Sequence, residues 1–306
     1  LTQTISEYIA RGWVTVNVIR GKGMQLYAYD HCIQTYGGLS KWIGFIDTDE
    51  FIIPKTGEDL PGFVRHYESF SGLAISSLFF GAGGNKVRPL CGQIAGYLKR
   101  TPENLLKNRL VKCIVQPEKV LFPSSPHTFL YSDTNYCVNE MEHRVDTQFF
   151  SCSVQKIQLN HYYTRSVQEW KEKNVRGRGD SGLAYSEINW KEVEDNSTVD
   201  DQSAINLVID LLRKKSNRKD AVDQLSKPSS TKLLQMLSSA ARQIQAPKCT
   251  AIPDQEINPR PEMIDLMQAI AEGNAFLDSG QFHKARAVYL RLIEQFPQQI
   301  AYYIDF

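Results

Sequence analysis

The chain has 306 residues, of which 42% are hydrophobic and 23% charged, and its formal net charge is +1. This length predicts one large or two smaller cores, and the composition is ordinary for a globular protein. A nearly neutral chain excludes nucleic acid as an electrostatic partner, so any function that depends on charge must be local.

The first part of the chain alternates helix and strand patterns. Residues 1–11 predict a helix that ends at Gly12, residues 14–19 form a β-branched run typical of a strand, and residues 25–36 predict a second helix. This alternation predicts an α/β fold with a parallel sheet. Because the chain begins on a crossover helix, we also expect an earlier strand to be missing.

An apolar run interrupted by acidic residues follows, from Trp42 to Pro54, with the sequence W-I-G-F-I-D-T-D-E-F-I-I-P. The pattern predicts a strand buried on both faces. Asp47 and Asp49 are two positions apart, so their side chains are expected to converge at the strand's carboxyl end, while Glu50 points away in a structural role. Converging carboxylates favour a hard divalent cation, Mg²⁺ or Mn²⁺, that completes its shell with substrate phosphates.

This stretch resembles the D-x-D signature of nucleotide-sugar glycosyltransferases of the GT-A type, and it is most similar to glycosyltransferase family 92. The resemblance covers residues 1–182. It implies a Rossmann-like, mostly parallel sheet that lacks its first strands, which cradle the nucleotide base and ribose. It also implies a nucleotide-sugar donor whose diphosphate is bound through Mn²⁺ or Mg²⁺ at Asp47 and Asp49.

A glycine-rich segment follows the next predicted strand. Residues 60–70 predict a short helix, residues 72–80 predict the strand, and Gly81-Ala-Gly83-Gly comes next. Glycines allow close approach of the backbone to a ligand, although a flexible turn gives the same pattern. In the related sequences, a similar F-G-x-x-G element precedes an arginine and a proline, which implies that Gly81 and Gly83 form a loop on the acceptor side.

Two histidines are possible third metal ligands. His127 lies in a Ser- and Pro-rich turn after the predicted strand 110–116, and His161 ends an inward-facing row that contains Ile157 and Leu159. The segment around His161 resembles the family's L-N-H-Y element. The resemblance favours His161 as the third ligand, with His127 as the second choice.

Basic residues are concentrated just after His161. Ser166 and Glu169 fit a capping box, which predicts a helix whose positive N-terminal end attracts phosphate. Residues 165–178 contain five basic and two acidic residues. Their similarity to the family's K-x-x-R-G-R pattern implies that Lys173, Arg176 and Arg178 hold the donor diphosphate.

The resemblance implies transfer with inversion, which requires a general base. Four acidic residues are candidates by their position in the chain, and the sequence does not choose among them: Glu140, Glu142, Asp146 and Asp180. We therefore expect a metal-dependent glycosyltransferase, a hexosyltransferase in particular, that acts on a hydroxyl of a glycan or of a lipid- or protein-linked acceptor. The alternative is a non-catalytic helical-repeat interaction protein with a degenerate transferase scaffold.

The C-terminal part has a different pattern. Residues 183–258 are polar, with helix-like pieces at 203–215 and 230–245 that are either packed on the main domain or part of a loose linker. Residues 259–306 resemble one tetratricopeptide repeat, which implies a helical tail that binds a protein partner. No apolar run approaches the ~18 residues of a membrane span, so we expect a cytoplasmic protein and leave membrane association open.

Overall fold

A computed structural model describes residues 2–19, 21, 23–132, 134–215, 269, 272, 276 and 281–295. The helices in these residues are α1 (Thr2–Ala10), α2 (Gln25–Tyr36), α3 (Leu60–Arg65), α4 (Gly92–Gly96), α5 (Val167–Arg176), α6 (Glu187–Asn196), α7 (Ser203–Lys215) and α8 (Phe282–Gln295). The strands are β1 (Ile43–Gly44), β2 (Glu50–Pro54), β3 (Gly72–Phe79), β4 (Lys99–Arg100), β5 (Val111–Val115), β6 (Val120–Pro123), β7 (Phe129–Tyr131), β8 (Cys137–Val138), β9 (Arg144–Val145), β10 (Ile157–His161) and β11 (Val199–Asp200).

Seven of the described strands form the main sheet, which is compatible with a Rossmann-like GT-A fold. Its order is β1-β5-β3-β10-β2, while β8 also pairs with β3 and carries β9 at its side. The fold is mixed α/β, as expected, but the prediction of a mostly parallel sheet is wrong. Only β3–β10 and β3–β8 are parallel, whereas β1–β5, β5–β3, β10–β2 and β8–β9 are antiparallel.

The short helices explain this difference. Parallel neighbours require a crossover that carries the chain back along the length of a strand. The six residues of α3 span about 9 Å, whereas the eight residues of β3 span about 26 Å. The five residues of α4 are shorter still. Helix and strand patterns therefore alternate along the chain without producing repeated parallel crossovers.

Helices cover both faces of the sheet at its centre. The central strand β3 is buried along its whole length, and its side chains alternate between the two faces. Ala74 packs in the same cluster as Ile33 of α2, while Leu73 and Ile75 pack with Phe63 of α3. The sheet is thus held between α2 and α3, which leaves the ends of its strands free to carry a site.

The N-terminal predictions are confirmed in part. Helix α2 has the predicted bounds, and α1 ends where Gly12 takes a φ of 72° and donates its N–H to the Ile9 carbonyl at 2.9 Å. The predicted strand at 14–19 is wrong, because the segment pairs with no strand among the described residues and β-propensity needs such a neighbour. The segment lies beside α2 instead, where Asn17 donates to the Tyr36 hydroxyl at 2.9 Å.

The region after residue 182 packs on the domain wherever it is described. Val193 of α6 is fully buried, β11 pairs with β4, and α7, predicted at 203–215, packs against β2. Helices α6 and α7 therefore pack on the domain rather than forming a loose linker. The predicted helix at 230–245 and the boundary at 258 lie outside the described residues. Helix α8 falls within the repeat-like stretch, whose remainder is mostly undescribed, and none of the described helices is long and apolar enough to cross a membrane.

Candidate functional site

Three strand ends meet at one edge of the main sheet. The parallel strands β3 and β10 end there, with Phe79 opposite His161, and the antiparallel strand β2 begins there, with Glu50 opposite His161. The Tyr162 N–H donates to the Asp49 carbonyl at 2.9 Å and fixes the acidic segment beside this edge. The topology thus brings the acidic stretch and His161 together, as the sequence predicted.

The acidic residues lie in a tight turn rather than in an extended strand. The Glu50 N–H donates to the Asp47 carbonyl at 3.0 Å, and the Asp47 N–H donates to the Glu50 carboxylate at 2.8 Å. Alternation therefore breaks down at this point, and the expectation that Glu50 points away from the site is wrong. Its buried carboxylate lies among the site residues.

Asp49 is at the centre of the cluster. Its Oδ2 accepts from Lys173 Nζ at 2.8 Å and lies 3.0 Å from a terminal nitrogen of Arg165, while its Oδ1 lies 4.0 Å from His161 Nε2. Burial alone would raise the pKa of Asp49, but His161, Lys173 and Arg165 hold it well below its usual range. The Asp49 carboxylate is therefore ionised at neutral pH.

His161 is buried and uncharged. Burial lowers the pKa of His161 to about 3, against the attraction of Asp49. Because the ring is neutral at pH 7, the cations Lys173 and Arg165 account for the charge opposite Asp49 under those conditions. The Nδ1 atom lies 3.5 Å from Glu50 Oε1, and neither atom has a hydrogen-bond partner among the described residues. A tautomer with the proton on Nδ1, facing Glu50, leaves the Nε2 lone pair directed towards Asp49.

Asp47 is held by two groups of this chain. Its Oδ1 accepts from Gln25 Nε2 at 3.0 Å, and its Oδ2 accepts from Lys112 Nζ at 3.1 Å. Lys112 also lies 3.4 Å from Glu50 Oε2. Burial raises the pKa of Glu50 to about 7 despite the nearby lysine.

Lys112 and Gln25 are site residues that the sequence analysis missed. Lys112 is inside the apolar strand β5, and only 1% of its side chain is exposed. A lysine in a buried strand is costly unless it has a partner, and that is the signal that could have identified it. Gln25 is the first residue of α2, and nothing in its sequence context distinguishes it.

His127 is half-buried beside β5, next to Lys112. Its Nδ1 lies 2.9 Å from the Val111 carbonyl, so Nδ1 carries the proton and Nε2 is free of it. Burial, and then the nearby Lys112 charge, lowers the pKa of His127 to about 3. Like His161, it is a neutral imidazole, and the choice between the two histidines as a third ligand stays a prediction.

The capping box at the start of α5 is confirmed, but the phosphate site predicted at this helix end is wrong. Ser166 and Glu169 exchange both capping hydrogen bonds. The Val167 N–H donates to the Asn85 carbonyl at 3.3 Å, and the Gln168 N–H donates to the Lys86 carbonyl at 3.1 Å. Protein acceptors therefore occupy the first-turn amides that would bind a phosphate.

The three predicted phosphate-binding cations have different surroundings. Lys173 is buried, and its Nζ lies 4.7 Å from the ring centres of both Tyr163 and Tyr185 as well as contacting Asp49. Arg176 is exposed on the last turn of α5. Arg178 binds the Asp180 carboxylate through two hydrogen bonds of 3.0 and 2.5 Å.

The glycine-rich loop is fixed by α6. A Cβ on Gly81 would lie 2.5 Å from Ser197 Oγ, and the Ala82 N–H donates to Glu194 at 2.6 Å. Glu194 also accepts from Thr164, next to the site. Gly81 is therefore required for helix packing, whereas Gly83 is exposed with a φ of 58°. The predicted acceptor function of the two glycines stays a prediction.

The four acidic candidates for the general base lie in different places. Glu140 is buried and accepts from the amides of residues 155, 156 and 157 at 2.7 to 2.8 Å, at the end of β10 remote from His161. Glu142 and Asp146 are exposed. Asp180 lies close to the start of α2, because its backbone oxygen would be 2.9 Å from a Cβ on Gly23. Its neighbour Gly179 approaches Gln25, which binds Asp47, because a Cβ there would lie 3.5 Å from Gln25 Oε1.

The site offers only part of a metal shell. Among the described residues, no three His, Cys, Asp or Glu side chains are grouped so that they could hold a metal ion. Asp49 Oδ1 and the facing His161 Nε2 are nevertheless one oxygen and one nitrogen of the kinds that Mn²⁺ accepts. The buried Oε1 of Glu50 behind His161 fits the support that metal-bound histidines use. These two atoms would fit a divalent ion only if its remaining ligands were substrate phosphates and water.

Comparison with known proteins finds a family model over most of the chain. Residues 1–200 of the 306 match the sequence model of Glycosyltransferase family 92. A curated relative from Ricinus communis, a glycosyltransferase family 92 protein, is 31% identical over 153 residues, which is 48% of this chain. The same alignment covers 25% of that relative, so the chain spans about a quarter of the length of the curated relative it matches.

Proposed function

Because this chain belongs to glycosyltransferase family 92, we propose that it binds a nucleotide-sugar donor and transfers the sugar to a hydroxyl group of an acceptor. The observation that carries the proposal is the Asp49 cluster at the strand edge. There, an ionised carboxylate faces a neutral imidazole at 4.0 Å and has two cations within hydrogen-bond distance. Such a cluster can bind a diphosphate and a cation together.

Asp49 and His161 are the groups that we propose to hold Mn²⁺ or Mg²⁺. Each oxygen of Asp47 accepts one hydrogen bond, from Gln25 or from Lys112, and keeps a second lone pair with which Asp47 could join them. When bound, the ion would neutralise charge that develops on the departing nucleoside diphosphate. Glu50 Oε1 lies 3.5 Å from His161 Nδ1, where it would favour the tautomer that leaves Nε2 available to the ion.

The remaining residues orient the donor and activate the acceptor. The Lys173 ammonium is held between Tyr163 and Tyr185, within reach of phosphate oxygens bound near Asp49. Arg176 and Arg178 lie at the end of the same helix and supply further positive charge. As general base for an inverting transfer we propose Asp180, which releases Arg178 when an acceptor hydroxyl approaches.

The finer parts of the function rest on the family resemblance. We propose a hexosyl donor and an acceptor hydroxyl on a glycan or on a lipid- or protein-linked molecule. Helix α8 spans the second half of the repeat-like pattern, which supports a tetratricopeptide-like hairpin for a protein partner.

Calorimetric titration tests the donor site. UDP and GDP are titrated into this chain with Mn²⁺ and again with EDTA, and one of the two is expected to bind only with the metal. Asp49→Ala and the isosteric Asp49→Asn should abolish metal-dependent binding and sugar transfer, while Asp200→Ala, an exposed pair with Lys99, should change neither. Full activity in a folded Asp49 variant would reject the metal assignment. Absence of any nucleotide binding would favour the non-catalytic scaffold.

A further inference from the structure

Arg165 has a strained backbone at the edge of the site. Its φ is 52°, in the left-handed region that disfavours residues with a Cβ. Its neighbours hold it there, because Thr164 donates to Glu194 and the Ser166 N–H donates to the Tyr97 hydroxyl at 2.9 Å. Strain of this kind persists where the surrounding structure imposes it, and it concentrates at functional sites.

The side chain of Arg165 uses only half of its hydrogen-bonding edge. The terminal nitrogen on the same side as Nε–H lies 3.0 Å from Asp49 Oδ2, whereas Nε itself is buried with no hydrogen-bond partner among the described residues. These two N–H groups form the parallel pair with which arginine binds a phosphate or carboxylate in bidentate fashion. A buried donor without an acceptor is rare in folded proteins, so the unused Nε–H calls for an explanation.

Asp49 does not explain it. Lys173 already donates to the same Oδ2 atom at 2.8 Å, and only one nitrogen of Arg165 reaches this oxygen. The other predicted phosphate-binding arginines are arranged differently. Arg178 donates from both Nε and a terminal nitrogen to Asp180, and Arg176 is exposed at the helix end.

We propose that Arg165 binds the donor diphosphate through Nε–H and the adjacent terminal N–H, turning from Asp49 to a phosphate oxygen pair when the donor arrives. The inference rests on the proposed function and adds to it the residue that anchors the phosphates. Asp49 and Lys173 stay paired, so the carboxylate that Arg165 leaves is still neutralised. The released face of Asp49 is then available to a divalent ion that enters with the diphosphate.

Nucleotide binding and thermal stability are measured together to test this role. Wild type, Arg165→Lys, Arg165→Ala and Arg165→Gly are titrated calorimetrically with UDP and GDP in the presence of Mn²⁺, and their melting temperatures are recorded. Arg165→Ala and Arg165→Gly should both weaken binding about tenfold to hundredfold, as expected for loss of a charge-assisted bidentate contact. Arg165→Lys should weaken it less, because the charge remains. Arg88→Met, which removes an exposed arginine paired with Glu169 and Glu172, is the matched control and should bind as wild type does.

The glycine variant separates ligand binding from folding. Glycine relieves the left-handed strain, so Arg165→Gly should melt about 2 to 4 °C above Arg165→Ala while binding equally weakly. If affinity recovers together with melting temperature, the residue has only a structural role and the proposal is overturned. Wild-type affinity in both variants overturns it as well. Failure of the wild type to bind either nucleotide removes the proposed function itself, which is a distinct outcome.

Discussion

Replacing Lys112 with methionine should show how much the lysine charge stabilises the carboxylates of Asp47 and Glu50 in the folded protein. The substitution keeps most of the side-chain volume and removes the ammonium that contacts Asp47 at 3.1 Å and Glu50 at 3.4 Å. Only 1% of the Glu50 side chain is exposed, so water cannot solvate the carboxylate in place of the lost ammonium. Breaking a buried pair by removing one member costs about 3–5 kcal/mol. We expect Lys112→Met to lose that much free energy of unfolding at pH 8.

The loss should depend on pH through Glu50. Its pKa is raised from 4.5 to about 7 in the folded protein, which corresponds to about 3 kcal/mol between the protonated and ionised forms. The folded state therefore binds this proton more tightly than the unfolded state, so the Glu50 contribution to stability is greatest below about pH 4.5 and falls until about pH 7. Without Lys112 the pKa rises further and the fall continues above pH 7. At pH 5.5 Glu50 is largely protonated in both proteins, and the difference should shrink to about 1–2 kcal/mol.

Urea denaturation at pH 5.5 and pH 8 measures both values. Adding Glu50→Gln to Lys112→Met should restore most of the loss at pH 8, because the unpaired charge is gone. Lys41→Met removes a half-exposed pair with Glu68 and should cost less than about 1 kcal/mol at either pH. An equal loss at the two pH values, or no rescue by Glu50→Gln, would refute the electrostatic argument.

Two further predictions concern residues that support the site from outside. Glu140→Gln should lower the free energy of unfolding in urea by about 3 kcal/mol, because its buried carboxylate accepts from three consecutive backbone amides. Nucleotide affinity should be unchanged, and a loss of transfer in the folded variant would instead make Glu140 a catalytic candidate. Gly81→Ala should destabilise the chain by about 1–3 kcal/mol, since its Cβ would lie 2.5 Å from Ser197 Oγ. Adding Ser197→Gly should recover most of the melting temperature, and a lack of recovery would contradict the steric explanation.

The sequence predicted the elements of the fold better than their arrangement. Helix α2 and the capping box of α5 depend on residues close together in the chain, and both form as predicted. Strand direction depends on how far each connection travels, which local patterns do not encode. The segment 14–19 illustrates the same limit, because its β-branched residues favour a strand but cannot supply the neighbour that a strand needs.

The candidate site divides in the same way. Asp49 and His161 were predicted from a motif and from strand alternation, and the structure brings them within 4.0 Å. Lys112 was missed because an isolated lysine in an apolar run shows its importance only when its carboxylate partners are known. The phosphate site at the start of α5 was wrong because the sequence could not show that carbonyls of a distant loop occupy its amides.

The contact between Lys173 and Asp49 also determines when the site can form. It joins residues 124 positions apart, and Lys112 and Asp47 are 65 apart. Contacts between such distant positions form late, because the chain must close long loops before it gains their energy. A polypeptide emerging from the ribosome therefore carries Asp49 without its two cations until Arg165 and α5 have been synthesised. The ion pairs at Asp49 would thus report on completed folding of a nascent chain.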